Sequence, residues 1–278
     1  MLRSLRHLAS ARPASLVALG FVAVLLLAAI IGPLVVPYDP LATNVSRSLE
    51  APSFDHWCGT DQLGRDIFSR VVAATRLDVA IAVSAVAISF VIGNSVGAAC
   101  GFFGGALDQW IGRLVDVLMA FPLFVVAMAM VAVLGNTVAN VIYATALINL
   151  PFYIRFSRTE VAVRRNAGYV QAARLGGAGD AGVLFGVLLP NILPGLMVQM
   201  SINLGWAILN ASGLSFIGVG VRPPAPEWGI LVSEGAQFIL TGQWWVAAWP
   251  GLALMFAVLA FNLAGDALRD LFDVRSRA

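Results

Sequence analysis

The stretch YVQAARLGGAGDAGVLFGVLLPN, residues 169–191, lies between two long apolar runs. Its first seven residues are reasonable helix formers, and Gly176-Gly177 should end that helix because glycine readily adopts the left-handed conformation. Asp180 is a good N-cap for a second short helix, which Pro190 should end because proline disfavours helix in the residue before it. The stretch therefore predicts a compact helical hairpin.

Gly177, Gly179 and Gly182 of this hairpin also spell GxGxxG, the dinucleotide-binding fingerprint. That fingerprint has meaning only after a strand and inside a βαβ unit, and no strand is plausible here. A nucleotide site is therefore rejected. From the residues alone, the hairpin remains either a docking surface for another protein or a surface linker.

The rest of the chain is dominated by apolar residues. Of its 278 residues, 59% are hydrophobic and 12% are charged, whereas soluble domains carry about 25% charged residues. Its charge-free runs are long enough for membrane spans, which need about 20 residues each. The sequence predicts an all-α polytopic membrane protein, a single domain over residues 1–278 with six spans. These spans cover about residues 13–38, 79–107, 117–134, 137–154, 195–217 and 246–265.

The arginines near the span ends set the orientation, since positive charge marks the cytoplasmic side. The tail 1–12 carries three arginines and no acid, the loop 155–194 carries five arginines against Glu160 and Asp180, and the C-terminus carries Arg269, Arg275 and Arg277. Residues 39–78 and 218–245 are therefore expected outside. Both termini, and the hairpin with them, are expected in the cytoplasm.

The interiors of the predicted spans contain only neutral polar side chains. In lipid such groups must find partners, so they should face the helix bundle or a cavity. Interhelical hydrogen bonds and contacts with a transported substrate both satisfy this requirement. The candidate pathway-lining residues are Asn149, Gln199, Ser201, Asn203 and Asn210.

Catalytic chemistry has little support in the sequence. The only histidines are His7 and His56, and the chain has no lysine, so it lacks the P-loop lysine that reaches ATP phosphates. Cys58 and Cys100 lie far apart in no zinc-binding pattern. No catalytic residue, metal site or cofactor is predicted, and the net charge of +2 does not suggest nucleic acid as a partner.

The hairpin resembles the "EAA" loop of permease subunits in bacterial ABC importers, which runs EAA, then Gly, then I-x-L-P. Gln171 replaces the family Glu and Val187 replaces Ile. The residues in register with that motif are Gln171, Ala172, Ala173, Gly177, Val187, Leu189 and Pro190.

Three more segments resemble the dipeptide, oligopeptide and nickel permeases of that family. HWCGTDQLGRDIFSR (56–70) is similar to HWxGTDxLGRDxFSR, and LSFIGVG with the following PP and EWG (214–229) is similar to LSFLGLGxxPPxPxWG. AFNLAGDALRD (260–270) is similar to AFNLxGDxLRDxLDP. With the hairpin, four segments in the right order make the chain most similar to the second, C-type permease of such systems.

The resemblance implies a type I importer permease that forms half of the pathway for di- or oligopeptides across the bacterial inner membrane. Its expected partners are a second homologous permease, two ATP-binding subunits, an external solute-binding protein and the lipid bilayer. ATP and magnesium would be bound by the ATP-binding subunits, and the hairpin would couple to them.

A nickel or glutathione importer of the same family remains the alternative. Nickel suits His and Cys ligands, and His56 and Cys58 lie close together, but two candidate ligands make no site, so peptides are favoured. A self-contained secondary transporter or channel is the alternative of another class. It would be favoured by carboxylates within the spans.

Overall fold

The computed structural model describes residues 13–275, so the predicted cytoplasmic tail 1–12 lies outside the described residues. Ten α-helices are described, together with a 3-10 turn at Val45–Arg47 and a π-helical turn at Leu184–Leu188. The helices are α1 (Pro13–Val35), α2 (Ile67–Phe103), α3 (Gly105–Ala120), α4 (Leu123–Leu134), α5 (Val138–Arg164), α6 (Gly168–Leu175), α7 (Asp180–Val183), α8 (Leu189–Phe216), α9 (Trp228–Ala236) and α10 (Trp245–Arg275).

Four stretches of helix in the described part are long and apolar enough to cross a membrane: α1, α2, the run from α7 through α8, and α10. A fifth span is obtained if α3 and α4, which are bent by 87° relative to each other, are counted as one. The 27 residues of α5 are about 40 Å long, which also exceeds the hydrocarbon thickness of a bilayer. The prediction of six spans is compatible with this architecture.

The helices extend beyond the predicted spans wherever polar residues continue them. The second span was expected to begin at residue 79, but α2 begins at Ile67, where Asp66 accepts a hydrogen bond from the backbone N–H of Ser69 as an N-cap. The fourth was expected to end at residue 154, but α5 continues to Arg164. Hydropathy marks the lipid-facing part of a helix, whereas backbone hydrogen bonding sets its ends.

The bundle is built around the contact between α2 and α5. On α2, Gly93, Gly97 and Gly101 recur every four residues and lie directly against the backbone of α5. A Cβ atom added at Gly97 would lie 2.3 Å from the carbonyl oxygen of Ile154. This glycine spacing was visible in the sequence as a small-xxx-small repeat, which lets membrane helices approach closely.

A buried polar network holds the segment before α2 against the bundle. Asp61 accepts hydrogen bonds from Arg65 Nε at 2.6 Å and from Arg70 Nη1 at 2.7 Å. The Nη2 atoms of both arginines reach Glu234 of α9, at 3.2 and 3.4 Å. Burial raises the pKa of Glu234, although Arg65 beside it acts in the opposite direction. Because all four charges are paired with one another, they hold this segment in the fold and are not free to bind a partner.

One carboxyl group lies inside α2, where the predicted span boundary had excluded it. Asp78 is buried, and its Oδ2 accepts a hydrogen bond from the backbone N–H of Trp228 at 3.1 Å. Its Oδ1 has no donor and lies beside Glu227, whose own oxygens accept the N–H groups of Gly229 and Ile230. Asp78 and Glu227 therefore form a buried pair of carboxyl groups. This pair joins α2 to the start of α9.

Replacing Gly97 with alanine should destabilise the protein, because the added methyl group meets backbone that cannot rotate away. The expected loss is about 1–3 kcal/mol of unfolding free energy. Gly112→Ala on α3 is the matched control, since nothing lies within 4 Å of its added Cβ. Thermal unfolding of the purified protein in detergent measures both. Equal stability of Gly97→Ala and Gly112→Ala would contradict the close contact.

Asp78→Asn should leave stability nearly unchanged, because the amide oxygen still accepts from Trp228 and the amide N–H points a donor at Glu227. Asp78→Leu removes the acceptor, so the buried Trp228 N–H loses its partner at a cost of about 1–3 kcal/mol. The two variants are compared by thermal unfolding. An asparagine variant as unstable as the leucine variant would show that the hydrogen bond to Trp228 is not what Asp78 contributes.

Candidate functional site

The first arm of the hairpin, α6, ends at Leu175 as the sequence predicts. The backbone N–H of Ala178 donates to the carbonyl of Ala173 at 3.1 Å, and that of Gly177 donates to Arg174 at 3.0 Å. Gly177 has φ +88°, the left-handed conformation that closes this type of helix end. Glycine is required at this turn by its backbone conformation and not by space, because nothing lies within 4 Å of an added Cβ.

The second arm differs from the prediction in two ways. Gly179 is the N-cap and Asp180 is the first residue of α7, so Asp180 does not cap the helix with its side chain. Pro190 does not end the helix: the chain passes through α7 and a π-helical turn into α8, which continues to Phe216. Proline is tolerated in the first turn of a helix, and Pro190 stands there, directly after the π-helical turn. The hairpin is therefore continuous with a membrane helix.

The hairpin packs on the ends of α2 and α5 through an apolar cluster. Val170, Val183, Leu184 and Leu188 from the hairpin region are buried there, together with residues such as Phe102 of α2. Arg174 places its guanidinium carbon 5.4 Å from the centroid of the Phe102 ring. Arg165 Nη1 donates to the carbonyls of Gly101 and Phe102, at 3.3 and 3.4 Å, near the carboxyl end of α2. Cations are favourable at such helix ends.

The predicted coupling residues divide between the two sides of this hairpin. Ala173, Val187 and Leu189 pack inward against the apolar cluster. The exposed ones are Gln171, Ala172, Gly177 and Pro190. Ala172 and Ala173, which are adjacent in the EAA-like motif, therefore have different surroundings: Ala172 is exposed, whereas Ala173 packs against the apolar cluster.

The sequence reasoning missed the apolar side chains on the exposed side. Leu175 at the end of α6 is 91% exposed, and Tyr169 and Phe185 are also exposed. In the sequence, the position of Leu175 directly before Gly176 and Gly177, at the end of a short helix, was the signal that its side chain would be exposed.

The second candidate site is a cavity of about 350 Å³ between α4, α5 and α8. Four of the five candidate pathway residues line it: Asn149, Gln199, Asn203 and Asn210. The remaining lining residues are Leu123, Ile148, Phe152, Ile202 and Trp206. The cavity is therefore uncharged, with amides as its polar groups.

Ser201 is the candidate that does not reach this cavity. Its hydroxyl donates to the carbonyl of Phe261 on α10 at 2.8 Å, an interhelical hydrogen bond. Residues 199 and 201 are about 200° apart around a helix, whereas 199, 203 and 210 share one face. The helical spacing alone separates Ser201 from the others.

The amides of the cavity keep hydrogen-bonding capacity for a ligand. Asn149 Nδ2 donates to Thr145 in its own helix at 2.9 Å, and Asn210 Nδ2 donates to the carbonyl of Trp206 at 2.8 Å. Gln199 Nε2 approaches Asn203 Oδ1 at 3.5 Å. Each side-chain amide has two N–H donors and an oxygen acceptor. The N–H groups and oxygens that these contacts do not use can therefore bind a substrate that itself carries both donors and acceptors.

His56 and Cys58, the candidate nickel ligands, have surroundings that do not favour metal binding. His56 Nδ1 lies 2.8 Å from Asp66 Oδ1, so that nitrogen is already engaged. Burial raises the pKa of the Cys58 thiol to about 11, which disfavours the thiolate that binds metals. Within residues 13–275, no group of three or more His, Cys, Asp or Glu side chains is placed to hold a metal ion.

Comparison with known proteins identifies a matching family. The family model described as "Binding-protein-dependent transport system inner membrane component" matches residues 93–278. A second one, the N-terminal transmembrane domain of oligopeptide transport permease C, matches residues 8–52.

Three curated relatives cover most of the chain. A probable D,D-dipeptide transport system permease of Escherichia coli K12 is 39% identical over 92% of this chain and 85% of its own length. A nickel transport system permease from the same strain is 41% identical over 92% of each chain. A glutathione transport system permease of Pectobacterium atrosepticum is 39% identical over 93% of this chain and 86% of its own.

Gly177→Ala should loosen the hairpin, because an L-residue at positive φ costs about 1–2 kcal/mol. Amide hydrogen exchange in α6 and α7 should become about 5–30 times faster if exchange proceeds through opening of this turn. Gly179→Ala is the control, since its φ of −70° suits alanine and its Cβ position is open. If both variants exchange like the wild type, the turn does not depend on Gly177.

Proposed function

The chain belongs to the family of binding-protein-dependent transport system inner membrane components, and from this premise we propose that it forms one half of the pathway of an ATP-driven peptide importer. The chain would contribute its helices to a route shared with a homologous subunit. The observation that carries the proposal is the uncharged cavity between α4, α5 and α8, lined by four amide side chains.

Short peptides suit this cavity by their chemistry. Each peptide bond offers one N–H donor and one carbonyl acceptor, which the amides of Asn149, Gln199, Asn203 and Asn210 complement. A nickel ion in transit would be better served by imidazole, thiolate or carboxylate ligands, and none lines this cavity. Nickel and glutathione remain the alternatives because related permeases with those names are as similar as the dipeptide one.

The assembly proposed contains four kinds of partner: a second homologous permease, two ATP-binding subunits, an external solute-binding protein and the bilayer. ATP and magnesium would be held by the ATP-binding subunits, and no cofactor by this chain. The permease would lie in the bacterial inner membrane with both termini in the cytoplasm, as its arginine distribution favours. Residues 39–78 and 218–245 would then face the solute-binding protein.

The coupling hairpin, residues 168–190, would dock into an ATP-binding subunit through the exposed side that carries Gln171, Ala172 and Leu175. Its inward side packs on α2 and α5, and its second arm continues into α8. A displacement of the hairpin would therefore be transmitted along α8 to the amides of the cavity. Coupling between sites needs a packed, rigid element of this kind.

The substrate proposal is tested by uptake into vesicles that contain the whole complex and internal ATP, with the solute-binding protein outside. A radiolabelled dipeptide should accumulate, while labelled nickel and glutathione should not, and uptake should survive an uncoupler of the proton gradient. Uptake of nickel or glutathione without uptake of the dipeptide would show that the substrate is not a peptide. Collapse of uptake at constant internal ATP would favour a secondary transporter.

Ala172→Glu should weaken the ATP-binding subunits' attachment, because it adds bulk and charge on the exposed side of α6 without touching the inward apolar cluster. Burial of an unpaired carboxylate at an interface costs several kcal/mol, so copurification and ATP-driven uptake should both be lost. Ala172→Ser, small and neutral, is the control. Normal copurification of Ala172→Glu at wild-type membrane levels would contradict docking on this side.

A further inference from the structure

Trp206 is the exposed aromatic residue at the middle of α8. It lies 17 residues after Leu189 and 10 before Phe216, so about 25 Å and 15 Å of helix separate it from the two ends. Its side chain is 56% exposed. Tryptophan in membrane proteins prefers the interfaces, where its N–H meets water and headgroups. An exposed tryptophan at this depth therefore needs a reason other than anchoring.

The neighbours of Trp206 indicate that it does not face lipid. Gln199 and Asn203 precede it by seven and three residues, and Asn210 follows it by four, so all lie on the same side of α8. Three amides on a lipid-facing stripe would each cost free energy in hydrocarbon. This side of α8 therefore faces the cavity, where Trp206 stands between the Gln199–Asn203 pair and Asn210.

We propose that Trp206 sets the size of the substrate that passes through the permease, as an aromatic constriction across the amide-lined route. This inference rests on the proposed function, because it assigns a role within the same cavity. The indole ring of Trp206 lies between the Gln199–Asn203 pair and Asn210 along α8. A peptide that moves from one of these amide groups to the other has to pass the face of the indole ring. Phe152 of α5 supplies a second exposed aromatic side chain on another wall of the cavity.

The chemistry of this arrangement suits a short peptide. The amides before and after Trp206 bind main-chain groups of any sequence, whereas the ring offers a flat apolar surface to a side chain. Asn210 is tied to the same turn, since its Nδ2 donates to the carbonyl of Trp206. Because an indole has only two side-chain torsions, it limits the width of the route without binding one side chain specifically.

The position is tested first without any peptide, by cysteine accessibility in the assembled complex. Trp206→Cys should react with a charged, membrane-impermeant methanethiosulfonate at least about tenfold faster than Met255→Cys, because a charged reagent is excluded from lipid. Met255 lies on α10, is 60% exposed and does not line this cavity. Both native cysteines are buried, so the background is low. Equal rates for the two variants would overturn the assignment.

The size limit is tested by uptake of Ala-Ala and Phe-Phe at a saturating concentration of the solute-binding protein. Trp206→Ala should raise the ratio of Phe-Phe to Ala-Ala uptake several-fold over the wild type, and Trp206→Phe should change it little. The binding protein is the same throughout, so a changed ratio belongs to the permease. An unchanged ratio in Trp206→Ala would overturn the size role.

The two proposals fail separately. A wild-type complex that imports neither peptide refutes the proposed substrate, whereas fast labelling of Trp206→Cys would still place this residue in the route. If Trp206→Ala does not assemble, the labelling rate of Trp206→Cys and the uptake ratio of Trp206→Phe decide. Slow labelling of the cysteine variant contradicts the role of Trp206 as an aromatic constriction. A several-fold change in the ratio of Phe-Phe to Ala-Ala uptake in Trp206→Phe contradicts it as well.

Discussion

The backbone contact between α2 and α5 is the interaction on which the rest of the structure depends. Apolar side chains gain little from meeting each other in lipid, so membrane helices associate through close packing and hydrogen bonds. Gly93, Gly97 and Gly101 allow this approach along one side of α2. The carboxyl end of the same pair of helices then forms the platform of the coupling hairpin, with Phe102 and Val161 in its apolar cluster. The place of the hairpin thus follows from the glycine contact.

The helix α8 connects the two candidate sites. Its first turn follows directly from the hairpin through a π-helical turn, and its middle carries the amides and Trp206. Turns of this kind are rare and often accompany functional positions. In the proposed function, one continuous element would carry a movement at the ATP-binding subunit to the route of the substrate. The inward residues Ala173 and Val187 would hold the hairpin, and the outward residues Ala172 and Leu175 would receive the partner.

The segment before α2 is held by buried charges and not by apolar packing alone. Asp61, Arg65, Arg70 and Glu234 join the segment before α2 to α9, and Asp78 with Glu227 joins α2 to the same helix. Buried ion pairs add little net stability, but removal of one member leaves an unpaired charge. The network therefore fixes one arrangement of α9 and the segment before α2 on the bundle. Asp78 belongs to this structural set.

The sequence by itself determined the membrane class, the hairpin and the set of neutral polar residues, because apolar run length, glycine turns and charge position are local properties. It also supplied the family through four ordered segments. Local patterns misplaced Pro190, since proline is tolerated in a first helical turn, and hydropathy does not mark where the backbone hydrogen bonding of α2 begins.

Only the tertiary structure decided which of these residues act together. Helical spacing alone separates Ser201 from Gln199 and Asn203. Packing against α10 gives Ser201 a structural hydrogen bond, whereas the space beside α4 and α5 makes the side of Gln199 and Asn203 the wall of a cavity. The same holds for Ala172 and Ala173, and for Trp206, whose helical spacing places it with the amides of α8 but does not show that this side faces a cavity. The side that a helix turns toward a cavity is set by neighbours distant in the chain, and their positions follow from non-local contacts such as that of Gly97 with Ile154.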